Sequence, residues 1–529
     1  MLHIPRALRV VFLTLAALLC STYILLPGQA SSDGQKPFLL KDTSAVKKVA
    51  VIGAGAAGAS TAYFLKDFAE KHDVPVNITV YERNNYIGGR TTVVHAYDDP
   101  EEPVELGASI FVQVNKILYD AAIHFELPLV DYEGGSADGA DQIGVWNGRE
   151  FVVVISNGGW WETIKMAWRY GLSPLRLQNL VKKTVGQFLK MYDEPVFPWK
   201  SLTQTALDLE LTAATSTAAL DFLKLNSVYP PFTTDLIQAS TRVNYASNLG
   251  HISGLVTMVA MSTDNAMAVG GGNWRIFDKM VQTSKAGVLL ETGVTNVERK
   301  DGGKTWVVNA ASSSGDELED EYDEVVIATP YQFSNITSHS ITPPETIKYT
   351  NLYVTLFTSP YRLSPKYFKL DKGLVPDMVL STLPPDEDET TKGVGLTRFW
   401  SVNILRVLER KLENGVKRKE YLYKIFSPTY WEDDEILEMI GLPGDASALT
   451  WTHRKLWQSY PVEEPRTTFQ EARLDFGLWY TAGLEAFISC METMSLAGKN
   501  VAANIVEGWV SERRAAEMPK MPMERDQAL

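Results

Sequence analysis

Lys48-Val49-Ala50-Val51-Ile52-Gly53-Ala54-Gly55-Ala56-Ala57-Gly58 is the stretch that decides the fold. After Lys48 its opening residues, Val49 to Ile52, are apolar and rich in valine and isoleucine, as in a strand buried on both faces of a parallel sheet. They run straight into glycines spaced GxGxxG. In that setting Gly53 allows the tight turn, Gly55 lets a pyrophosphate approach the backbone, and Gly58 lets the following helix pack close to the strand. Ala56 and Ala57 sit between them and open that helix, read as Ala56 to Glu70, with its N-terminus toward the phosphates.

A second strand, Ile78 to Glu82, ends in an acid that can accept hydrogen bonds from ribose hydroxyls, with Arg83 next to it. Glu82 lies 29 residues after Gly53, and the polar loop His72 to Asn77 accounts for the length. Strand, glycines, helix, strand and terminal acid, in that order, specify a dinucleotide-binding unit. NAD and FAD both present an ADP half to such a unit, so this fingerprint leaves both open.

The next residues discriminate. Tyr86-Ile87-Gly88-Gly89-Arg90 follows the acid, and a glycine pair with an arginine can bring backbone amides and a guanidinium to a pyrophosphate. Glu105-Leu106-Gly107-Ala108 comes after it. This ordering resembles the large group of FAD-dependent oxidases that includes amine oxidases, phytoene desaturases and protoporphyrinogen oxidases. Val288 to Ala310 alternates around a Lys300-Asp301-Gly302-Gly303 turn as a hairpin does, and leads through an acidic stretch to Tyr322–Pro330. Leu478 to Glu485 reads as a strand and loop, and Met491-Glu492 opens a helix through about Val510. The resemblance implies that these distant pieces return to the nucleotide domain. It places the Val294 backbone at adenine, Gly483 and Glu485 at the ribityl chain, and the helix N-terminus at Met491 toward the flavin pyrimidine edge. A positive helix end there favours the negative charge of a reduced flavin.

The expected architecture is therefore α/β: a Rossmann-type FAD-binding domain assembled from discontinuous segments, plus an α+β substrate domain. The nucleotide domain takes 46–149, 281–335 and 471–511. A helical lobe takes 150–280, where Trp161–Tyr170, Arg176–Met191 and Ser201–Lys224 carry apolar residues at helical spacing. Residues 336–470 form a small sheet with helices, and 512–529 a loose polar tail. No period of 20 to 50 residues recurs, so the chain is not a repeat array.

Within the lobe, Arg242-Val243-Asn244-Tyr245, Asn248, Ile252-Ser253-Gly254-Leu255 and Gly271-Gly272-Asn273-Trp274 resemble prenylcysteine oxidases. Trp457-Gln458-Ser459-Tyr460-Pro461 and Gly483-Leu484-Glu485 through Met491-Glu492 resemble that family's late motifs, so the likeness runs from about Val46 to Val510. It implies an FAD enzyme that cleaves S-farnesyl- or S-geranylgeranyl-cysteine with O₂ and water, giving cysteine, a prenyl aldehyde and hydrogen peroxide. Such chemistry requires no metal and no side-chain nucleophile. It requires an apolar channel, to which Trp160, Trp161, Phe188, Phe222 and Trp274 are candidates, though most such residues are ordinary core. Arg242 and His251 are candidates to meet the cysteine carboxylate. The mature chain has no cysteine upstream of the last helix to form a flavin thioether, and Cys490 would lie at the wrong end of the ring, so the FAD is expected to be noncovalent. A flavin amine oxidase and a silent secreted flavin-binding module are the alternatives.

Composition sets the outer limits. The chain has 529 residues, 45% of them apolar, and a net charge of −14 without a Lys/Arg block, which argues against a protein that grips nucleic acid. Its two cysteines, Cys20 and Cys490, cannot form a disulfide scaffold or a Cys-rich metal site. Residues 1–9 carry Arg6 and Arg9 but no acid, Val10 to Leu26 is an apolar run interrupted by hydroxyl residues such as Ser21 and Thr22, and Gly28 and Ala30 are small residues at the −3 and −1 positions for cleavage after Ala30. This reads as a secretory signal over 1–30, with an uncleaved anchor as the alternative. The body is then expected in the secretory pathway, in a vacuole or lysosome or outside the cell, with membrane contact through that segment or a lipid-like substrate. Sequons at Asn77 and Asn335 are candidate glycosylation sites, Asn335 the better placed because Asn77 abuts a buried strand.

Overall fold

The computed structural model describes residues 46–131, 142–156, 168–262, 265–300, 303–387, 393–412 and 414–517. The targeting segment, Cys20, Trp160, Trp161 and residues 518–529 lie outside the described residues.

The deciding stretch forms the strand Lys47–Ile52 and the helix Ala56–Lys71. The strand is central in a six-stranded sheet whose order is Arg473–Asp475, Leu478–Tyr480, Glu324–Ile327, Lys47–Ile52, Val76–Tyr81, Gly287–Leu289. All pairs are parallel except the antiparallel edge pair. Ile52 stands between Tyr81 and Ile327, so strands from three distant parts of the chain end side by side at the glycine turn. The C-terminal helix, Met491–Glu517, packs on Ala56–Lys71. Gly498 makes this possible, because a Cβ there would lie 2.3 Å from the Ala57 carbonyl oxygen. That helix includes residues 512–517, which the sequence suggested were a loose tail.

The hairpin expected around residue 300 is part of a three-stranded antiparallel sheet, Thr292–Arg299, Trp306–Ser312 and Glu317–Tyr322. The acidic stretch supplies the third strand. Its charged side chains occupy the solvated positions of an edge strand.

The substrate domain is built on a larger sheet than the sequence suggested. Seven strands lie in the order Trp451–Pro461, Tyr349–Ser359, Lys417–Ser427, Ser401–Lys411, Met378–Ser381, Gln142–Trp146, Phe151–Ser156. Gln142–Trp146 and Phe151–Ser156 straddle the expected boundary at 149, and Trp274–Ser284 packs on Ala56–Lys71 although it was assigned to the lobe. The long helix read over 201–224 is three short ones, Leu202–Asp208, Thr212–Ser216 and Ala219–Leu225. Glu210 breaks the first at φ 56°, and Thr217 and Ala218 are extended before the third. Periodicity registers one buried face but does not see such breaks.

Period-two alternation gives this sheet two faces. Tyr421, Tyr423 and Ile425 point to a core with Trp431 and the helix Asp433–Met439. Leu422 and Phe426 point to the other side, toward Leu352, Val354 and Ala246. Lys424 lies between them on that second face.

Candidate active site: a nucleotide cleft that meets a second cavity

The glycine turn is shaped by the main chain itself. Gly53 has φ 105°, and a Cβ on Gly58 would lie 1.8 Å from the Gly53 carbonyl oxygen. Gly55 is different: a Cβ there would meet only Gly89 Cα at 3.8 Å and the Gly88 carbonyl oxygen at 3.9 Å, ordinary contact distances. Gly88 N donates to the Ala54 carbonyl at 2.9 Å, and Gly55 and Gly88 form a bridge, so the two glycine runs lie against each other. Gly53, Gly55, Ala56, Ala57, Gly88, Gly89 and Arg90 line a common cleft of about 390 Å³. Gly58 sits behind it.

Glu82 is buried at the cleft wall. Its Oε2 accepts from Ala54 N at 2.9 Å, and its Oε1 accepts from Asn84 N at 2.8 Å and Asn84 Nδ2 at 2.6 Å. The acid therefore braces the glycine turn as well as facing the cleft. Arg83 lines the cleft while donating to the Phe333 carbonyl at 2.8 Å. Val294 lines it too, next to a register shift between Val294 and Asn296 that interrupts the strand pairing.

At the far end, Arg90 donates from Nη2 to Glu485 Oε1 at 2.6 Å and from Nη1 to the Ser459 carbonyl at 3.0 Å. Tyr349 Oη donates to Glu485 Oε2 at 2.7 Å. Burial works against the charge on Arg90, but Glu485, Tyr349 and Tyr460 together outweigh it and hold the guanidinium above its ordinary pKa. Two nitrogens of this arginine are thus bonded to protein while its side chain lines the cleft. Gly483 is corrected: it does not line the cleft, and a Cβ there would lie 2.7 Å from the Gln470 carbonyl oxygen. It is glycine so that the 470 segment can pass close behind Glu485.

Three buried polar atoms on cleft-lining residues, Trp457 Nε1, Ser459 Oγ and Thr481 Oγ1, have no hydrogen-bond partner within the protein. Buried donors are rarely left so. Together with the open Cβ position at Gly55 and the acid after the second strand, they fit a long polar ligand such as FAD. Sequence reasoning placed none of the three at the site, although Trp457 and Ser459 fall in a motif it noted.

The cleft ends at Gly107, Ala108, Tyr460, Ser489, Cys490 and Met491, and these residues also wall a second cavity of about 100 Å³. Gly107 is required at this junction, because a Cβ would lie 2.7 Å from the Arg90 carbonyl oxygen and 2.9 Å from the Trp457 ring. Met491 is the first residue of the C-terminal helix, so that helix end reaches both cavities. Burial pushes the Cys490 thiol up to about 11, which leaves it protonated and a poor nucleophile. The second cavity is lined by Ile110, Phe111, Leu118, Val243, Leu405 and Phe426, with Asn244, Asn403, Lys424 and Glu492 among them.

Arg242 and His251 do not line either cavity. Arg242 is fully buried, bonded to Ser381 Oγ, Asn248 Oδ1, the Val394 carbonyl and Thr397 Oγ1, with its guanidinium over the Trp400 ring. It holds the helix Gln238–Tyr245 to the loop before the sheet, a structural role. His251 sits in the turn that follows Asn248. Phe188 and Phe222 belong to the helical core, and the Trp274 indole donates to the Gly271 carbonyl at 3.2 Å outside both cavities. The residue missed by sequence was Lys424, whose signal is a lone charge inside the apolar run Tyr421-Leu422-Tyr423-Lys424-Ile425-Phe426. Among the described residues no cluster of three or more His, Cys, Asp or Glu side chains is placed to hold a metal ion.

Comparisons with known proteins agree with this layout. A family model described as NAD(P)-binding Rossmann-like domain matches residues 51–122. Among solved structures, a triple mutant of putrescine oxidase superposes with a TM-score of 0.55 at 13% identity, covering 87% of this chain and 99% of the other. A fatty acid isomerase from P. acnes gives 0.54 at 12% identity, covering 87% and 98%. At such identities the likeness is one of fold. Farnesylcysteine lyase of Arabidopsis thaliana is 27% identical, covering 94% of each chain. Prenylcysteine oxidase 1 of Homo sapiens is 27% identical over 87% of this chain and 89% of the relative, and that of Mus musculus 26% over 87% and 89%. The prenylcysteine lyase family model matches residues 154–518, from the substrate sheet to the end of the helix that joins the two cavities, and the chain belongs to that family.

Proposed function

We propose that this protein is an FAD-dependent thioether oxidase that cleaves S-prenyl-L-cysteine, consuming O₂ and water and releasing cysteine, a prenyl aldehyde and hydrogen peroxide. The observation that carries the reading is the shared wall at Gly107, Ala108, Tyr460 and Ser489–Met491, where the dinucleotide cleft meets a cavity that combines apolar side chains, Ile110, Phe111, Leu118 and Phe426 among them, with a group of polar ones. Bound in the cleft, FAD would supply a two-electron acceptor for the carbon between sulfur and alkene, with O₂ as the final acceptor.

The protein's own residues do the positioning. Gly55, Ala56, Ala57, Gly88 and Gly89 offer backbone to the pyrophosphate, Glu82 and Arg83 stand at the ribose end, and Val294 stands at the base. Trp457, Ser459 and Thr481 offer donors along the ligand. Arg90 and Tyr349 both donate to Glu485, which fixes the wall beside the reacting end. Ile110, Phe111, Leu118 and Phe426 exclude water from a prenyl chain, and exclusion strengthens each polar contact inside. The nucleotide domain takes the segments around 46–131, 274–335 and 471–517, and the substrate domain the other described residues.

The same reading extends to location. A secretory signal over residues 1–30 would place the body in the vacuole or lysosome or outside the cell, and Asn77 and Asn335 are both exposed on the folded surface. A lipid-like substrate gives a reason for membrane contact.

The test is an anaerobic titration of the yellow holoprotein. Farnesylcysteine should bleach the absorbance near 450 nm and oxygen should restore it. Bleaching by benzylamine instead would point to an amine oxidase, and no bleaching by either would leave a flavin-binding module without turnover.

A further inference from the structure

In the substrate sheet, Asn403 and Lys424 are directly paired across neighbouring strands, and Met378 pairs with Asn403 on the other side. Direct partners share a face, so their side chains lie next to one another on the floor of the second cavity. Asn244 reaches the same cavity from the helix Gln238–Tyr245, which packs over that part of the sheet. Lys424 is 3% exposed, Asn244 6% and Asn403 8%.

All three have unused bonding capacity. Lys424 Nζ donates to the Glu105 carbonyl at 2.6 Å and to Ser109 Oγ at 2.9 Å, both neutral acceptors. An ammonium has three N–H donors, so one is left. Asn244 and Asn403 use Nδ2 on serine hydroxyls, at 3.3 Å to Ser240 and 3.5 Å to Ser401, and their Oδ1 atoms have no partner. A buried cation without a bonded anion and two buried amide oxygens without donors each carry a desolvation cost. Burial lowers Lys424 itself to about 8, and it drives Glu105, the carboxyl that acts on Lys424 electrostatically, toward its neutral form, so a bound carboxylate would restore the charge on the lysine. A ligand with adjacent negative and positive groups would satisfy all three at once, and the amino-acid end of a prenylcysteine is such a ligand.

We infer that Lys424, Asn403 and Asn244 form the subsite for the zwitterionic end of the substrate, Lys424 receiving the carboxylate and the two amide oxygens the ammonium. This rests on the thioether-oxidase reading and names the residues that orient its substrate. The prenyl chain then runs from the subsite along the apolar wall.

Calorimetric binding to the holoprotein tests it with S-dodecyl-cysteine, whose saturated tail has no allylic carbon to oxidise, its methyl ester and its N-acetyl derivative. Wild type should bind the free acid about 10- to 100-fold more tightly than the ester, the range for a hydrogen bond to a charged group. Lys424→Met should weaken the acid by that factor and leave the ester unchanged. Asn403→Leu should do the same for the free amine against the N-acetyl form. An acid-to-ester ratio near one in wild type overturns the subsite without any variant. So does a ratio that survives in Lys424→Met, or absence of binding. If farnesylcysteine still bleaches the flavin while the ratio is near one, only the subsite falls. If it does not bleach, the reading beneath it falls as well.

Discussion

Arg90 Nη2 and Glu485 Oε1 meet at 2.6 Å although 395 positions separate them in the chain, and Glu485 is almost fully buried while the arginine keeps about a third of its side chain in contact with solvent. The pair ties the first nucleotide segment to the last at the junction of the two cavities. Removing one partner of a buried pair leaves the other uncompensated, at a cost of about 3 to 5 kcal/mol. The partial exposure of Arg90 moves the expectation to the low end or below. Arg90→Met should therefore destabilise by about 2 to 3 kcal/mol, with Glu485→Gln milder because Gln still accepts from Tyr349. The double variant should cost less than the sum. Urea unfolding of all three measures this, and strict additivity would show that the pair is not coupled.

Two glycines three positions apart should fail in different ways. A Cβ at Gly58 would lie 1.8 Å from a main-chain oxygen, so Gly58→Ala should destabilise the protein by about 3 kcal/mol or more. At Gly55 the protein leaves room, so Gly55→Ala should melt within a few degrees of wild type yet lose most of its bound flavin. Thermal melting of the apoprotein, paired with the ratio of flavin to protein absorbance, separates the two. Equal melting losses would contradict the assignment.

Cys490 lies where the cavities meet, but its thiol is pushed up to about 11 by burial, with the Thr493 hydroxyl 3.3 Å from Sγ. A protonated thiol does not form a bond to flavin readily. Acid denaturation should release all of the flavin into the supernatant, and Cys490→Ser should carry as much flavin as wild type. Flavin that stays with the precipitate in wild type and not in the variant would show a covalent link.

Glu492 accepts from the backbone N–H groups of Ile117 and Leu118, each at 3.0 Å, at the start of the helix Lys116–His124. Burial pushes its carboxyl up from 4.5 to about 7, against the opposing pull of those two donors. The folded state then holds a proton that the unfolded chain has released across that interval. Its contribution to stability is present in full below about 4.5 and is lost as pH rises toward 7. The melting temperature should fall between pH 5 and 7.5, and Glu492→Gln should flatten that slope. Parallel profiles for the two proteins would rule the group out.

Both sequons are exposed, although the buried strand around Ile78 made Asn77 look the poorer site from sequence. Exposure is set residue by residue along a strand end, and Asn77 faces outward between two neighbours that face inward to different degrees. Expressed in a secretory host, the protein should lose mass on treatment with an amidase for N-linked glycans. Asn335→Gln and Asn77→Gln should each remove one glycan's worth of that shift, and an unchanged mass would remove the glycan assignment.

The nucleotide half was legible from sequence because its signals are local: a strand, three glycines, a helix and an acid at the end of the next strand are contiguous, and backbone geometry demands glycine at Gly53 and Gly58. Gly483 shows the limit of that reading. It was placed at the ligand, yet it clears space for the 470 segment, whereas Arg90 lines the cleft and is also bonded to protein. The substrate half depended on packing. Arg242 and Asn244 stand two residues apart in one motif, and two helical steps turn a side chain by roughly 200°, so one faces the loop over Trp400 and the other faces the cavity. Lys424 reaches Asn403 only through the register of two strands. The glycine motif with its flanking hydrophobic pattern determined that this chain carries a dinucleotide unit, and the resemblance of its other motifs carried the expectation of a substrate domain. Strand register and helix rotation, which depend on contacts between residues far apart in sequence, decided which polar groups that domain presents.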